Sequence, residues 1–432
     1  MNPDPGEKLR PRLYAWGRRT LPLGLRRKVR RLLPVERLFG VRKPRIQGLS
    51  PVSSAQTAAS GRAVVFLPVI SWSYRWQRPQ QMAAALVRRG LRVFYASLKA
   101  ASEPVREAAD PSGVILLPIR AIRWEDPPDR RLRGRALEAA EEAFEKYRNR
   151  FRLRDVALLL ETPFWEPLAA ALSRRFGWKV VFDCLDNYAE FASNRASALR
   201  DAEARLSRSA DLLVASSSVL AEKLSASGRS PLLLANACDE IFASIPDPAP
   251  SAPTLRIGYA GALEEWFDSA LVTELARRRP NWTFDLIGDP SDEILEALKG
   301  IPNVFLRGEK PYSELPPYMK EFDVVAIPHR LTPLTHAADH VKVYESLASG
   351  RAVVATPTRA LEPLAEKGLV RLASTAAEFE SAILACAAEG PDGAGRRRAF
   401  ARENTWSHRA ADLEGAISAL FAAEKPVTAS RA

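Results

Sequence analysis

Short apolar runs separated by helix-forming sequence recur along most of the chain. They lie at 63–67, 92–96, 114–117, 156–160, 180–182 and 212–215, and again at 256–259, 284–287, 304–306, 324–327 and 352–355. Runs this short and this continuously apolar are typical of parallel strands that are buried on both faces. The pattern therefore predicts an α/β protein built from doubly wound parallel sheets.

A proline-rich segment interrupts this alternation once. Four of the eight residues 246–253 are proline, which lacks a backbone donor and has a fixed φ, so neither a helix nor a central strand can continue there. We therefore expect two Rossmann-like domains facing a central cleft, at 61–247 and 254–405. A terminal helix at 406–424 and a tail at 425–432 would follow, and residues 1–60 would be a basic extension and a linker.

Cysteine content and hydropathy restrict the class of protein. The three cysteines, Cys184, Cys238 and Cys386, are odd in number and lack the spacing of metal ligands, so we expect neither a disulfide framework nor a metal site. No apolar run approaches the roughly 18 residues of a membrane-spanning helix. These features predict a cytoplasmic protein that does not cross a membrane.

The positive charge is concentrated at the N-terminus. Residues 1–47 contain fourteen Lys or Arg and three acidic residues, so this segment carries +11 of the total charge of +12. Leu25, Val29, Leu32 and Leu33 have helical spacing within it, which predicts a short basic amphipathic helix. The segment could lie on an anionic membrane surface or form a solvated tail, and nucleic acid is not a predicted partner.

The most informative passage is 339–356. Lys342 and Glu345 are three residues apart, so they share one face of a predicted helix, where they could hold a diphosphate and a ribose or form an ordinary exposed ion pair. The passage resembles the donor-binding helix of GT-B-type glycosyltransferases, family 4-like, with the pattern P-x-K-x-x-E-x-L-A-x-G-x-P-V-V. The matching residues are Lys342, Glu345, Leu347, Ala348, Gly350, Val353 and Val354. The resemblance implies that Glu345 binds the donor ribose.

Some donor-side residues depart from the family pattern. His340 and Ala352 stand where relatives have proline, and Ala337 replaces the first glutamate of their E-x7-E signature. Asp339 or His340 could substitute for that glutamate, and the sequence leaves the choice open.

The first strand of the second domain carries further donor-side predictions. Residues 257–268 resemble the first strand and turn of the family's C-terminal domain, but without the Arg and Lys that follow it in many relatives. Lys342, helix dipoles and backbone amides near Gly261 are therefore expected to neutralise the diphosphate. The loop around Gly308 is expected to influence recognition of the base.

The first domain carries motifs for the acceptor side. Residues 72–80 resemble the family's W-x-x-R-x-Q-R-P-Q, which predicts that Trp72, Arg75, Gln77 and Arg78 line the acceptor side of the cleft. Alternatively, Gln77 and Arg78 cap the following helix.

Two aspartates match the family's D-x-x-D. Asp183 and Asp186 are candidates for a general base or for a helix cap, and a front-face reaction would need no protein base.

The resemblance covers roughly residues 62–422. It implies the GT-B architecture, with the terminal helix crossing back to the first domain, and transfer of a sugar from a nucleotide-sugar donor to a glycan or lipid-linked acceptor in cell-surface polysaccharide synthesis. It implies no metal or other cofactor, and a location in the cytoplasm, peripheral on the membrane. The alternatives are a nucleotide-sugar 2-epimerase and a catalytically silent protein that binds nucleotide or glycan.

Overall fold

The computed structural model describes residues 49–99, 106–123, 132–191, 196–246 and 254–422. Within these ranges the chain forms two α/β domains, each built around one sheet. The predicted basic helix within 1–47, the boundary at 247–253 and the tail at 425–432 lie outside the described residues.

The N-terminal domain contributes nine strands to one sheet among the described residues. These are β1 Ser50–Pro51, β2 Ala63–Leu67, β3 Arg92–Lys99, β4 Ala108–Ala109, β5 Ile115–Arg123, β6 Val156–Leu160, β7 Lys179–Cys184, β8 Leu212–Ala215 and β9 Leu232–Leu233. Their order is β1-β4-β5-β3-β2-β6-β7-β8-β9. Only β4 runs antiparallel to its neighbours, β1 and β5.

The C-terminal domain has a smaller sheet of six strands within 254–422. These are β10 Arg256–Ala260, β11 Thr283–Ile287, β12 Val304–Gly308, β13 Val324–Ile327, β14 Ala352–Ala355 and β15 Arg371–Leu372. Their order is β12-β11-β10-β13-β14-β15, and every neighbouring pair is parallel.

Helices cover both faces of both sheets. They are α1 Ser54–Ala58, α2 Arg78–Arg88, α3 Arg135–Arg150, α4 Glu166–Phe176, α5 Ala196–Ser209, α6 Ser218–Ser225, α7 Ser269–Arg278, α8 Asp292–Ala297, α9 Leu315–Lys320, α10 Pro333–Ala337, α11 Val341–Ala348, α12 Glu362–Glu366, α13 Ala376–Ala387, α14 Pro391–Glu403 and α15 Trp406–Ala422. Every residue of β2, β6, β13 and β14 is buried, which explains why these strands read as continuous apolar runs.

The predicted fold class, two doubly wound α/β domains, is confirmed. All the predicted runs overlap strands of the two sheets. Residues 50–60, which were predicted to be a linker, instead contain β1 and α1, because Ser50 and Pro51 pair with Ala109 and Ala108. Strands of two residues are too short to show a periodic pattern, so β1, β4, β9 and β15 were not predicted.

The order of the strands places a crevice at the carboxyl edge of each sheet. In the first sheet β2 lies between β3 and β6, and in the second β10 lies between β11 and β13. The chain reverses its direction of winding at these pairs, so the loops that leave them diverge and make room for ligands. The loops after β2, β6, β10 and β13 are therefore where a site is expected.

Several contacts join the two domains. The Ser217 hydroxyl donates to the Ala337 carbonyl at 2.6 Å, and Arg359 forms a bidentate ion pair with Glu222 at 2.8 and 3.0 Å. The terminal helix α15 packs its buried Leu413 into the core of the N-terminal domain. The described surfaces of the two domains thus meet around the carboxyl ends of their strands.

Candidate active site

Lys342 lies across the end of β10, in the crevice of the C-terminal sheet. A Cβ atom at Gly261 would come within 2.7 Å of the Lys342 Cε and 3.1 Å of its Nζ, so only glycine leaves room for this side chain. The Lys342 Nζ lies 5.3 Å from the centre of the Tyr259 ring, in the range of a cation–π contact. Helix α11 thereby directs an ammonium group at the turn that follows β10.

Glu345 lies one helical turn further along α11 and is 6% exposed. Burial raises the pKa of its carboxyl group to about 7, against the opposing effects of Tyr312 and Lys342. Burial likewise lowers the pKa of Lys342 to about 8, and Arg75 acts in the same direction while Glu345 opposes it. The sequence left open the alternative that these residues form an ordinary exposed ion pair. The structure does not support that alternative, because both groups are desolvated.

Tyr312 completes the surroundings of Glu345. Its hydroxyl interacts with the Glu345 carboxyl group but has no hydrogen bond of regular geometry among the described residues. A buried hydroxyl beside a buried carboxylate leaves hydrogen-bonding capacity that a ligand with hydroxyl groups would use.

Two histidines lie beside Lys342. The rings of His329 and His340 are 4.9 Å apart, and the His329 Nε2 is 3.2 Å from the Tyr259 hydroxyl oxygen. Burial and the nearby Lys342 lower the pKa of His340 to about 3 and that of His329 well below its usual value, so both rings are neutral near pH 7. Within the described structure, His340 Nε2 and His329 Nδ1 have no hydrogen-bond partner.

His340 was predicted from the sequence, whereas His329 was not. His329 follows Pro328 directly after β13, at the crevice beside β10. A polar side chain just beyond the carboxyl end of a buried strand was the signal that could have identified it.

Asp339 joins the two domains instead of facing open space. Its carboxylate accepts hydrogen bonds from the Asn236 backbone amide and the Tyr344 hydroxyl, and its carbonyl accepts from the Asn236 Nδ2 at 2.7 Å. Burial raises the pKa of Asp339 to about 6. Both carboxylate oxygens are engaged within the protein, which gives Asp339 a structural role, and its contact with a donor stays a prediction.

Two glycines predicted on the donor side shape the crevice. The Gly261 amide donates to the Ile287 carbonyl at 2.9 Å, so this amide is not available to a phosphate, and Gly261 itself instead makes space for Lys342. Contact of the neighbouring amides with the diphosphate stays a prediction. Gly308 ends β12 with φ of 71°, and its carbonyl accepts from the Gly288 amide at 3.0 Å. Gly308 thus aligns the end of β12 with that of β11, and Glu309 follows it.

The structure places the residues predicted on the acceptor side in different surroundings. Trp72 is 3% exposed and packs edge-on against Trp76 and Tyr95. No face of its ring is open to a sugar, so this prediction is corrected. The Gln77 amide donates to the Gln80 side chain at 3.1 Å at the start of α2, in agreement with the capping alternative. Arg75 instead reaches across the cleft to Glu309 of the other domain, at 2.6 Å.

Arg78 and Asp183 form a buried, bidentate ion pair. The Arg78 Nε and Nη2 donate to the two carboxylate oxygens at 3.1 and 2.9 Å. The Arg78 Nη1 also donates to the Leu234 carbonyl at 2.9 Å and to the Asn236 Oδ1 at 3.3 Å. Arg78 as an acceptor contact and Asp183 as a general base are therefore corrected, because each satisfies the other inside the protein.

Among the described residues, Asp186 and Glu161 are two further carboxyl groups at the carboxyl ends of strands in the N-terminal sheet. Asp186 is half-buried beyond β7, and burial raises its pKa to about 7. Its role as a general base stays a prediction. Glu161 follows β6 directly, is fully buried, and has a pKa well above its usual value because of burial and Asp183. Glu161 was not predicted from the sequence, although its place directly after β6 could have identified it.

Neither a metal cluster nor a membrane-spanning helix is found in the part of the chain that the structure describes. No three His, Cys, Asp or Glu side chains converge there as metal ligands would. None of the helices between residues 49 and 422 is long and apolar enough to cross a membrane.

Comparison with known proteins relates these features to a family. Residues 254–389 match the family described as glycosyl transferases group 1. The chain is 28% identical over 207 residues to the Bacillus subtilis protein TuaH, named for teichuronic acid biosynthesis as a glycosyltransferase. That match covers 43% of this chain and 52% of TuaH, so the chain spans about half the length of this relative.

Solved structures show the same fold. Sucrose-phosphate synthase of Thermosynechococcus elongatus has a TM-score of 0.69 at 15% identity, over 84% of this chain and 100% of that one. HepE of Anabaena, solved with UDP and glucose, has a TM-score of 0.59 at 16% identity, over 82% of this chain and 99% of that one. Identities this low establish the fold alone. Together with the family match, they confirm the predicted resemblance to GT-B-type, family 4-like glycosyltransferases.

Proposed function

Because residues 254–389 match the group 1 glycosyl transferases and the chain has their two-domain GT-B fold, we propose that the protein transfers a sugar from a nucleotide-sugar donor to a glycan or lipid-linked acceptor. The observation that carries the proposal is the pairing of Lys342 and Glu345 in the crevice beside β10. Their spacing matches the donor-binding pattern. Because both groups are desolvated, hydrogen bonds or ion pairs with a polar ligand would offset the cost in free energy of their burial.

The roles of these residues follow from the charges of a nucleotide sugar. The Glu345 carboxylate accepts hydrogen bonds from ribose hydroxyls, and the Lys342 ammonium stabilises the diphosphate. When the bond between the sugar C1 and the phosphate oxygen breaks, negative charge grows on the leaving diphosphate, which Lys342 and the N-terminus of α11 stabilise. His340 and His329, being neutral, offer ring nitrogens to the hydroxyl groups of the transferred sugar.

The acceptor hydroxyl forms the new bond to the sugar C1 and loses a proton. Asp186 is the proposed recipient, since its pKa of about 7 suits a group that takes up a proton near neutrality. The departing phosphate oxygen could take the proton instead, and Asp186→Asn distinguishes the two routes. A fall in transfer rate of about a hundredfold is expected for a base, and an unchanged rate would contradict this role.

Titration calorimetry with UDP, GDP and ADP tests the donor site. Glu345→Gln keeps the size of the side chain but removes its charge, so we expect the affinity for the one preferred nucleotide to fall about tenfold or more. Glu362→Gln is the matched control, since Glu362 is exposed at the start of α12 and should leave binding unchanged. Equal binding by wild type and Glu345→Gln would contradict the proposed site.

Incubation with a nucleotide sugar and no acceptor separates transfer from its alternatives. A glycosyltransferase consumes the donor only slowly under these conditions, whereas a 2-epimerase would produce an epimer. Nucleotide binding without turnover against a broad panel of acceptors would favour the catalytically silent alternative.

The proposal includes no metal cofactor, since Lys342 and the N-terminus of α11 supply positive charge at the crevice. Transfer that persists in EDTA would support this view. Loss of transfer that is restored by Mg²⁺ would contradict it.

We also propose that residues 1–47 keep the enzyme beside membrane-bound acceptors. Their net charge of +11 suits an anionic lipid surface, where each basic residue adds about 1 kcal/mol. Deletion of these residues should release the protein from vesicles containing phosphatidylglycerol while leaving nucleotide binding intact. Unchanged vesicle binding would contradict this anchor.

A further inference from the structure

Arg75 belongs to the N-terminal domain but is paired in the C-terminal domain. It lies in the loop between β2 and α2, and its Nε donates to the Glu309 Oε1 at 2.6 Å. The side chains of Arg75 and Glu309 are 26% and 49% exposed, so water reaches both. An ion pair this exposed contributes at most about 1 kcal/mol, and a better anion would displace its carboxylate.

The pair lies at the crevice that holds Lys342. Glu309 follows Gly308, whose carbonyl binds the Gly288 amide. A Cβ atom at Gly288 would in turn come within 1.9 Å of the Gly261 carbonyl oxygen. The ends of β12, β11 and β10 therefore meet closely, and Arg75 is near enough to lower the pKa of Lys342.

The local charge leaves a diphosphate short of cations. Between Gly261 and Asp268 the turn after β10 contains Glu264, Glu265 and Asp268 but no Lys or Arg. Lys342 and the partial positive charge at the N-terminus of α11 would face a group with about two negative charges. A guanidinium group binds phosphate oxygens in a bidentate manner, which makes Arg75 a suitable second cation.

We propose that Arg75 is a ligand of the donor diphosphate supplied by the N-terminal domain, and that Glu309 holds its side chain in place until the diphosphate displaces the carboxylate. This inference rests on the proposed donor site and extends it to the opposite wall of the cleft. Arg75 is thereby moved from the predicted acceptor side to the donor side. Donor binding then joins the two domains through a shared ligand.

Two substitutions distinguish a ligand of the diphosphate from an ion pair that only holds the two domains together. Arg75→Ala removes a phosphate ligand, so the affinity for the preferred one of UDP, GDP and ADP should fall about tenfold or more. Glu309→Gln removes the competing carboxylate, so the same affinity should rise about two- to fivefold. If the pair served only to hold the domains together, both substitutions would break it and would change the affinity in the same direction.

The second ion pair between the domains provides matched controls. Arg359→Ala and Glu222→Gln break an ion pair between the domains whose side chains are 49% and 60% exposed, and both should leave nucleotide affinity unchanged. Titration calorimetry of all four variants supports the inference if only Arg75→Ala and Glu309→Gln act, and with opposite signs.

The outcomes distinguish this inference from the function on which it rests. If Lys342→Ala weakens nucleotide binding while Arg75→Ala and Glu309→Gln have no effect or the same effect, the inference is overturned and the donor site stands. If the wild-type protein binds none of the three nucleotides, the donor site and the inference are overturned together.

Discussion

Burial shifts the pKa values of Lys342 and Glu345 more than either group shifts the pKa of the other. Desolvation is the largest influence on both pKa values, and it brings an amine and a carboxyl group to values of about 8 and 7. A small change of pH near neutrality therefore alters the charge of the proposed donor site.

We predict a narrow pH optimum for nucleotide binding. Glu345 must lose its proton to accept ribose hydroxyls, so affinity should rise as the pH increases towards about 7. Lys342 must keep its proton to bind the diphosphate, so affinity should fall above about pH 8, approaching tenfold per pH unit. Titration calorimetry with the preferred nucleotide from pH 6 to 10 measures both effects.

The substitution Lys342→Arg tests whether loss of the Lys342 proton causes the fall in nucleotide affinity above about pH 8. Arginine stays charged throughout this range, so the fall above pH 8 should disappear while the acidic side remains. The other groups that face Lys342 do not titrate there, since burial lowers the pKa of His340 to about 3 and raises that of Tyr259 far above its usual value. A variant that retained the alkaline fall would contradict the assignment.

Helix α15 shows how one element serves a domain that is distant in sequence. Its buried residues Trp406, Leu413 and Ile417 pack in the same core as Val64 and Phe66 of β2. Polar contacts flank this core, since the Arg62 guanidinium binds the Ser418 hydroxyl and Arg89 pairs with Glu414. The end of the chain is therefore a structural part of the N-terminal domain.

We predict that Leu413→Ala lowers the free energy of unfolding by about 2–5 kcal/mol, because it leaves a cavity in a fully buried core. Leu384→Ala on α13 is the matched control, since Leu384 is 41% exposed and its truncation should cost less than about 0.5 kcal/mol. Urea denaturation measures both. Similar effects of the two substitutions would show that α15 is not packed as described.

The arrangement of the two domains depends on a polar network between them. Asp183 and Arg78 belong to the N-terminal domain, and Asp339 belongs to the C-terminal domain. Asn236, in the connecting segment after β9, accepts from Arg78 and donates to Asp339. One amide side chain thus links the two walls of the cleft.

We predict that Asn236→Ala loosens this arrangement. Loss of the amide should lower the free energy of unfolding by about 1–3 kcal/mol and raise the radius of gyration in small-angle X-ray scattering without ligand. The control is Asn303→Ala, since the Asn303 Nδ2 donates to three carbonyls inside the C-terminal domain. Asn303→Ala should lose stability without changing the radius. An unchanged radius in both variants would contradict a linking role for Asn236.

The longer strands of both sheets and the shared helix face of Lys342 and Glu345 could be predicted from the order of the residues, because their signals are local. A fully buried strand such as β2 reads as a continuous apolar run, and two residues three apart on a helix must share a face.

Tertiary structure was needed for contacts between residues distant in the chain. Arg78 and Asp183 are 105 residues apart and Arg75 and Glu309 are 234 apart, so no local pattern predicts either pair. Whether Trp72 faces a cleft or a core depends on how the sheets and helices pack around it. Burial and long-range pairing arise only when separate segments come together. They place Trp72 in a core, Arg78 in a buried ion pair and Arg75 in a contact with the other domain.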